Sequence, residues 1–167
     1  MLFAASKRVL LVRRKHEPFQ GMLSVPGGFL RPLVEDLPGC AARELLEETG
    51  LQLAPSSLIP LSVRSNPNRD TRGHVIDQSY VAILNAQQEE QALNCLQAGD
   101  DAAQVAVISL QEALRQPLAA DHRQMVQEAA LTMQRTRESL PARIKSWLLG
   151  ITSASASLPM RRSVAAT

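Results

Sequence analysis

The sequence predicts a mixed α/β (α+β) sandwich, and three features carry that expectation. Short apolar segments with strand character recur along the chain. A helix-patterned stretch separates the early ones from the later ones, and a longer helix follows the last. At 167 residues, with 45% apolar and 20% charged side chains, the chain can bury roughly two-thirds of the surface its unfolded form exposes. Aromatic residues are only 3%, so the core must be built from Leu, Val, Ile, Ala and Met.

Residues 8–13 (RVLLVR) are apolar between charged flanks and read as a buried strand. After the loop KHEPFQG, the segment LSVPGGF reads as a second short strand, ended by Pro26 and the Gly27-Gly28 pair. From Asp36 to Gly50 the pattern is helical, with an acidic start, Pro38 in the first turn and Gly50 as the stop. Residues 58–64 (LIPLSVR) and 75–84 (VIDQSYVAIL) read as strands on either side of the polar turn SNPNRDTRG. The polar stretch 85–101 reads as a long loop. VAVISL (105–110) is a last strand and SLQEALRQ a short helix; a longer helix over 121–138 gathers Met125, Val126, Ala129, Ala130 and Met133 on one side. Residues 1–140 are thus expected to form one domain, and 141–167 a basic, Ser/Ala-rich, mobile C-terminal tail.

Charge and cysteine content narrow the functional classes. The net charge of +2 divides into +5 from residue 135 onward and −3 before it, so the basic character belongs to the tail. Six cations spread over that length make a weak footprint, and nucleic acid is not expected as a partner. No apolar run approaches the roughly 18 residues of a membrane span, and Lys and Arg interrupt the N-terminal apolar stretches, so the reading is cytoplasmic, with no membrane partner. Cys40 and Cys95 lack metal-ligand spacing and are expected to be free thiols.

The chemistry concentrates in RELLEETGL, residues 43–51. At about 100° per residue, Glu44, Glu47 and Glu48 share one helix face, with Ala42, Leu45, Leu46 and Thr49 opposite. Like charges at these spacings repel by a few tenths of a kcal/mol per pair, which calls for a cation or full solvation. Clustered carboxylate oxygens suit Mg²⁺ or Mn²⁺; a merely solvated acidic face is the alternative. Arg43 stands eight residues after Glu35, within reach of an ion pair that ties loop to helix. Gly27 and Gly28 lie just upstream, where a bare backbone could approach a ligand and offer a carbonyl.

At these residues the chain resembles the Nudix hydrolase family: Glu35, seven residues, then Arg43-Glu44-Leu45-Leu46-Glu47-Glu48-Thr49-Gly50-Leu51 match its box without a gap. Gly28 precedes Glu35 by six intervening residues where the family has five, and Val34 stands where a glycine is frequent. The order of segments extends the likeness over roughly residues 7–134. PNRDTRG with the following strand is similar to the branch containing ADP-ribose pyrophosphatases and the related regulators that sense ADP-ribose.

The resemblance implies an α/β/α sandwich with a mixed sheet, its family helix following the Gly-Gly loop. It also implies Mg²⁺, with Mn²⁺ able to substitute, and a nucleotide-derived small-molecule substrate. Glu44, Glu47 and Glu48 inherit metal-binding and catalytic roles, with the Gly28 carbonyl as a further ligand; Glu35, Arg43 and Gly50 inherit structural ones. An additional catalytic carboxylate is expected outside the box, with Asp101 first and Asp100, Glu89 and Glu90 as the other candidates. Arg69 and Arg72 are candidate substrate-binding residues, able to fork onto phosphate or the terminal ribose. Phe19, Phe29 and Tyr80 could each stack on a base or belong to the core, and His122 reads as a surface residue near a helix cap. The expected activity is Mg²⁺-dependent hydrolysis of the diphosphate linkage of a nucleoside diphosphate joined to another group, ADP-ribose or a nucleoside diphosphate sugar foremost. The alternative is a catalytically weak ligand-sensing domain. A shortened first strand would leave an edge that a second copy could cover, making a homodimer the oligomer to look for.

Overall fold

The computed structural model describes residues 2–3, 5–99 and 102–139. Its spine is β2 (Arg8–Arg14), whose residues 9–12 are all buried. β7 (Ala102–Ser109) runs antiparallel along the whole of β2, from Arg8 opposite Ser109 to Arg14 opposite Ala102. The other edge of β2 is shared: β1 (Leu2–Phe3) pairs antiparallel with its start and β3 (Leu23–Ser24) antiparallel with its end. β6 (Ile83–Leu84) then adds to β1 in parallel, which completes a mixed five-stranded sheet.

Alternation along β2 explains why the whole segment is apolar: a strand covered on both faces has no solvent side. Val9 and Leu11 pack with Val126, Ala129 and Met133 of α4 (His122–Ser139). Leu10 points the other way, into a cluster with Leu45 of α1 (Leu37–Thr49), Leu51, and Ala92 of α2 (Ala86–Cys95). The sheet therefore lies between helices, an α/β/α arrangement.

Each signal expected for α1 is used. Asp36 caps the helix by accepting the Gly39 N–H at 2.8 Å, and Pro38 sits in the first turn where no amide donor is needed. Gly50 adopts a left-handed φ of 73° and returns its N–H to the Leu46 carbonyl at 2.9 Å. Leu46, expected on the packing side, is 42% exposed.

Three expectations are corrected. The polar stretch after residue 84 is not a loop: Asn85 and Gln88 form a reciprocal capping box, at 2.9 and 3.1 Å, that starts α2. The last strand begins at Ala102, three residues before the apolar run. Residues 75–84 form two strands, not one. β5 (Asp77–Val81) pairs with β4 (Ile59–Arg64) in a separate antiparallel ribbon, and after Ala82 the chain enters the main sheet as β6. A short helix, α3 (Leu110–Ala113), follows β7 as expected. The proposed tail, 141–167, lies outside the described residues. Among the described residues, no helix is long and apolar enough to cross a membrane. Cys40 and Cys95 are free thiols, the first buried and the second exposed.

The ribbon is tied down by charge. Glu128 of α4 accepts from the Ser62 amide at 2.7 Å and its hydroxyl at 2.6 Å, and pairs with Arg64 at 2.6 Å. Between the ribbon, the turn joining its two strands, α1 and α4 lies a cleft of about 630 Å³, lined among others by Gly27, Gly28, Glu44, Arg72, Asp77 and Tyr80.

Candidate active site

Arg43 organises the carboxylate face of α1 beside the cleft, which Glu44 lines and Glu47 and Glu48 do not. Its guanidinium grips Glu35 through both carboxylate oxygens, at 2.8 and 2.7 Å, and reaches the Phe29 carbonyl at 3.1 Å. The same group pairs with Glu44 at 2.5 Å and Glu47 at 2.9 Å. Glu35 also accepts the Arg31 amide at 2.9 Å, so one carboxylate closes the loop between Gly28 and the helix. These bonds, led by the Arg43 guanidinium, hold the Glu35 carboxyl down to about 2, and reciprocally raise Arg43.

Glu44, Glu47 and Glu48 stand on the same helix face, each with a positive or amide partner. Glu47 takes a second guanidinium, Arg31, at 3.0 Å, and Glu48 accepts the Gly27 amide at 3.1 Å. Gly28 lies against Glu44 so closely that a Cβ there would stand 2.5 Å from the carboxylate. A side chain at this position would require the Glu44 carboxylate to move. Among the described residues no three acidic, imidazole or thiol groups converge on one point; the glutamates are turned toward their donors. The donor chemistry nevertheless fits a hard divalent cation: carboxylate oxygens along one face, beside a backbone that only glycine brings this near.

The turn after β4 meets the cleft from the opposite side. Arg69 is engaged by both oxygens of Asp121, at 3.0 and 2.7 Å, and its side chain is 5% exposed. Arg69 lines the cleft with this fork on Asp121, as Arg72 does with its own fork on Asp70. Arg72 is the more available of the two, 45% exposed, paired with Asp70 at 2.7 Å and stacked over the Phe29 ring at 5.1 Å. Arg72 in turn holds the Asp70 carboxyl down to about 2. Of the aromatic candidates, Phe29 and Tyr80 line the cleft and Phe19 does not.

His122 departs from its expected surface position. It does not sit on the surface: its Nδ1 accepts the Val25 amide at 3.0 Å beneath the cleft, and burial pushes the imidazole down to about 4. Glu89 is buried at 5%, bonded to Ser6 at 2.6 Å and Arg8 at 2.5 Å, and so is spent on joining α2 to β2. Glu90 is exposed on α2 and does not line the cleft. Asp100 and Asp101 lie outside the described residues.

What precedes those two aspartates is well placed. Gly99 donates its N–H to the Glu48 carbonyl at 3.1 Å, and Gln97 donates to the Thr49 carbonyl at 3.0 Å. A Cβ at Gly99 would collide with the Glu47 carbonyl oxygen. The α2–β7 connection is thus docked on the peptide unit that carries Glu47 and Glu48.

Comparison with known proteins agrees with this geometry. The chain belongs to the NUDIX domain family, whose profile matches residues 1–129. It is 40% identical over 72% of its length to an ADP-ribose pyrophosphatase of Methanocaldococcus jannaschii, of which it covers 64%. It is 31% identical over 73% of its length to the ADPR responsive transcriptional repressor NtrR of Acinetobacter baylyi, of which it covers 46%. The chain therefore spans less than two-thirds of either relative. Among solved structures it resembles the NUDIX domain of Shewanella oneidensis NrtR complexed with ADP ribose, with a TM-score of 0.66 and 29% identity over 75% of this chain and 77% of that one.

Proposed function

We propose that the protein is a divalent-metal-dependent pyrophosphohydrolase acting on ADP-ribose or a related nucleoside diphosphate sugar. The observation that carries this reading is the carboxylate face of α1, with Glu44 against Gly28 and Glu48 accepting the Gly27 amide, beside a cleft of about 630 Å³ that Glu44 lines and that matches the size of a small-molecule site. The pyrophosphatase relative at 40% identity supports the substrate class. Glu44, Glu47 and Glu48, with the Gly28 carbonyl, would hold Mg²⁺ or Mn²⁺. Such a cation offsets phosphate charge and makes a water easier to deprotonate.

The chain's own residues do the rest. The Glu35–Arg43 clamp fixes the angle between the glycine loop and α1, and thus the spacing of carbonyl and carboxylates. Arg72, with its guanidinium at the cleft, binds the phosphate or terminal ribose end, while Arg69 holds the turn to Asp121. Asp101, two residues beyond the docked Gly99, is the carboxylate assigned to take the proton from the attacking water.

The test is a hydrolysis panel of ADP-ribose, nucleoside diphosphate sugars, dinucleoside polyphosphates, a capped RNA and an oxidised nucleoside triphosphate. ADP-ribose or a diphosphate sugar should be turned over best, and only with a divalent cation present. Glu48→Gln and Asp101→Asn should each lower kcat at least about tenfold. A clear preference for another class in the panel overturns the substrate, and full activity in Glu48→Gln overturns the site. Likeness to the ADPR responsive repressor favours one alternative, a sensing domain, which would bind ADP-ribose in calorimetry without turning it over.

A further inference from the structure

The segment between Gly28 and Glu35 carries a cation that the carboxylate pattern alone does not call for. Arg31 reaches back sixteen residues to Glu47 and donates from its guanidinium to Oε1 at 3.0 Å. Arg43 occupies Oε2 of the same carboxylate at 2.9 Å. Both oxygens of Glu47 are therefore held by guanidinium groups.

The two arginines differ in how firmly they are placed. Arg43 is 16% exposed and anchored by Glu35, Glu44 and the Phe29 carbonyl, so its position does not depend on Glu47. The Arg31 side chain is 56% exposed and bonds to Glu47, itself 46% exposed. Its backbone amide, in contrast, is fixed on Glu35. The loop is thus pinned at the main chain of Arg31 while the side chain keeps a weak, solvent-screened ion pair that can break cheaply.

We propose that Arg31 is a built-in competitor of the divalent cation for Glu47, a guanidinium that must leave Oε1 before the metal site is complete. The proposal rests on the metal-binding reading of α1 given above. It follows from elementary electrostatics: a carboxylate oxygen neutralised by one cation is a poorer ligand for another, and the exchange weakens metal binding by whatever the ion pair contributes. Arg31 accordingly sets the metal concentration at which the site loads.

Direct titration with Mn²⁺, read by calorimetry and by the loss of the free-ion electron paramagnetic resonance signal, separates competition from a structural role. Arg31→Gln removes the charge, Arg31→Lys keeps it without the planar fork, and Arg115→Gln removes an exposed cation that does not line the cleft. Arg31→Gln should bind Mn²⁺ about two- to fivefold more tightly than the unaltered chain, the range an exposed ion pair spans. Arg31→Lys should fall between the two, and Arg115→Gln should match the unaltered chain. A merely structural Arg31 would give weaker binding on removal, the opposite sign. Unchanged or weaker Mn²⁺ binding in Arg31→Gln overturns the proposal, as does equal tightening in Arg115→Gln. Should Arg31→Gln fail to fold, Arg31→Lys decides it, by tightening or by not doing so. If neither the unaltered chain nor any variant binds Mn²⁺, the metal reading of α1 falls with it.

Discussion

Arg43 bonds to Glu35, Glu44, Glu47 and the Phe29 carbonyl, so one guanidinium joins three carboxylates of the site to the glycine loop. Its strongest partner, Glu35, yields a pH signature. With its carboxyl held at about 2 instead of the usual 4.5, Glu35 binds its proton less readily in the folded chain than in the unfolded one. Its contribution to stability is therefore full above about pH 4.5 and lost as pH falls toward 2. The melting temperature of Glu35→Gln should lie below that of the unaltered chain at neutral pH, and the gap should close over that acid window. A gap of constant size would show that Glu35 acts through shape alone. The pair was legible in the sequence because its members are eight residues apart and flank one helix start. The helix carboxylates were legible for a similar reason, since spacings of three and four put them on one face. His122 was not, for its partner Val25 is 97 positions away, and neither was the bond from Arg69 to Asp121, 52 positions away. No local pattern encodes contacts that only the completed fold creates.

Among elements, α1 was readable from its ends because cap, proline and terminal glycine all announce a helix. α2 was not, because only Ala92 and Glu89 of its residues are buried and no apolar stripe stands out. Asn85 and Gln88 were the available signal, and the polar composition around them concealed it. What α2 achieves is delivery: it brings the chain to the C-terminal end of α1, where Gly99 rests on the Glu47 carbonyl. Gly99→Ala must push these two segments apart, since the obstacle is main chain and cannot rotate away. It should lower stability by about 1–3 kcal/mol, as overpacking does, and reduce turnover more than it raises KM. Thermal melting beside steady-state kinetics checks both, and an unperturbed melt in Gly99→Ala would mean the docking is loose.

At the scale of the molecule, the layered fold was foreseeable from apolar strands alternating with helices, whereas the division into a sheet and a separate ribbon was not. VIDQSYVAIL is one uninterrupted strand pattern, and only the competition of β4 and β1 for its two halves splits it. The split falls at Ala82, which is 3% exposed. Ala82 also lines the cleft, so what fits between ribbon and sheet at this point is a methyl group. A larger side chain has no solvent to escape into and must prise the ribbon from the sheet. Ala82→Val should therefore cost about 1–3 kcal/mol in thermal melting. It should also shift preference in the substrate panel toward bulkier groups on the second phosphate, whereas an unaltered preference would show the ribbon to be braced elsewhere. Position 82 thus acts as a calliper: it stands in the lining of the cleft where the ribbon gives way to the sheet, and the tolerance there is the size of one alanine.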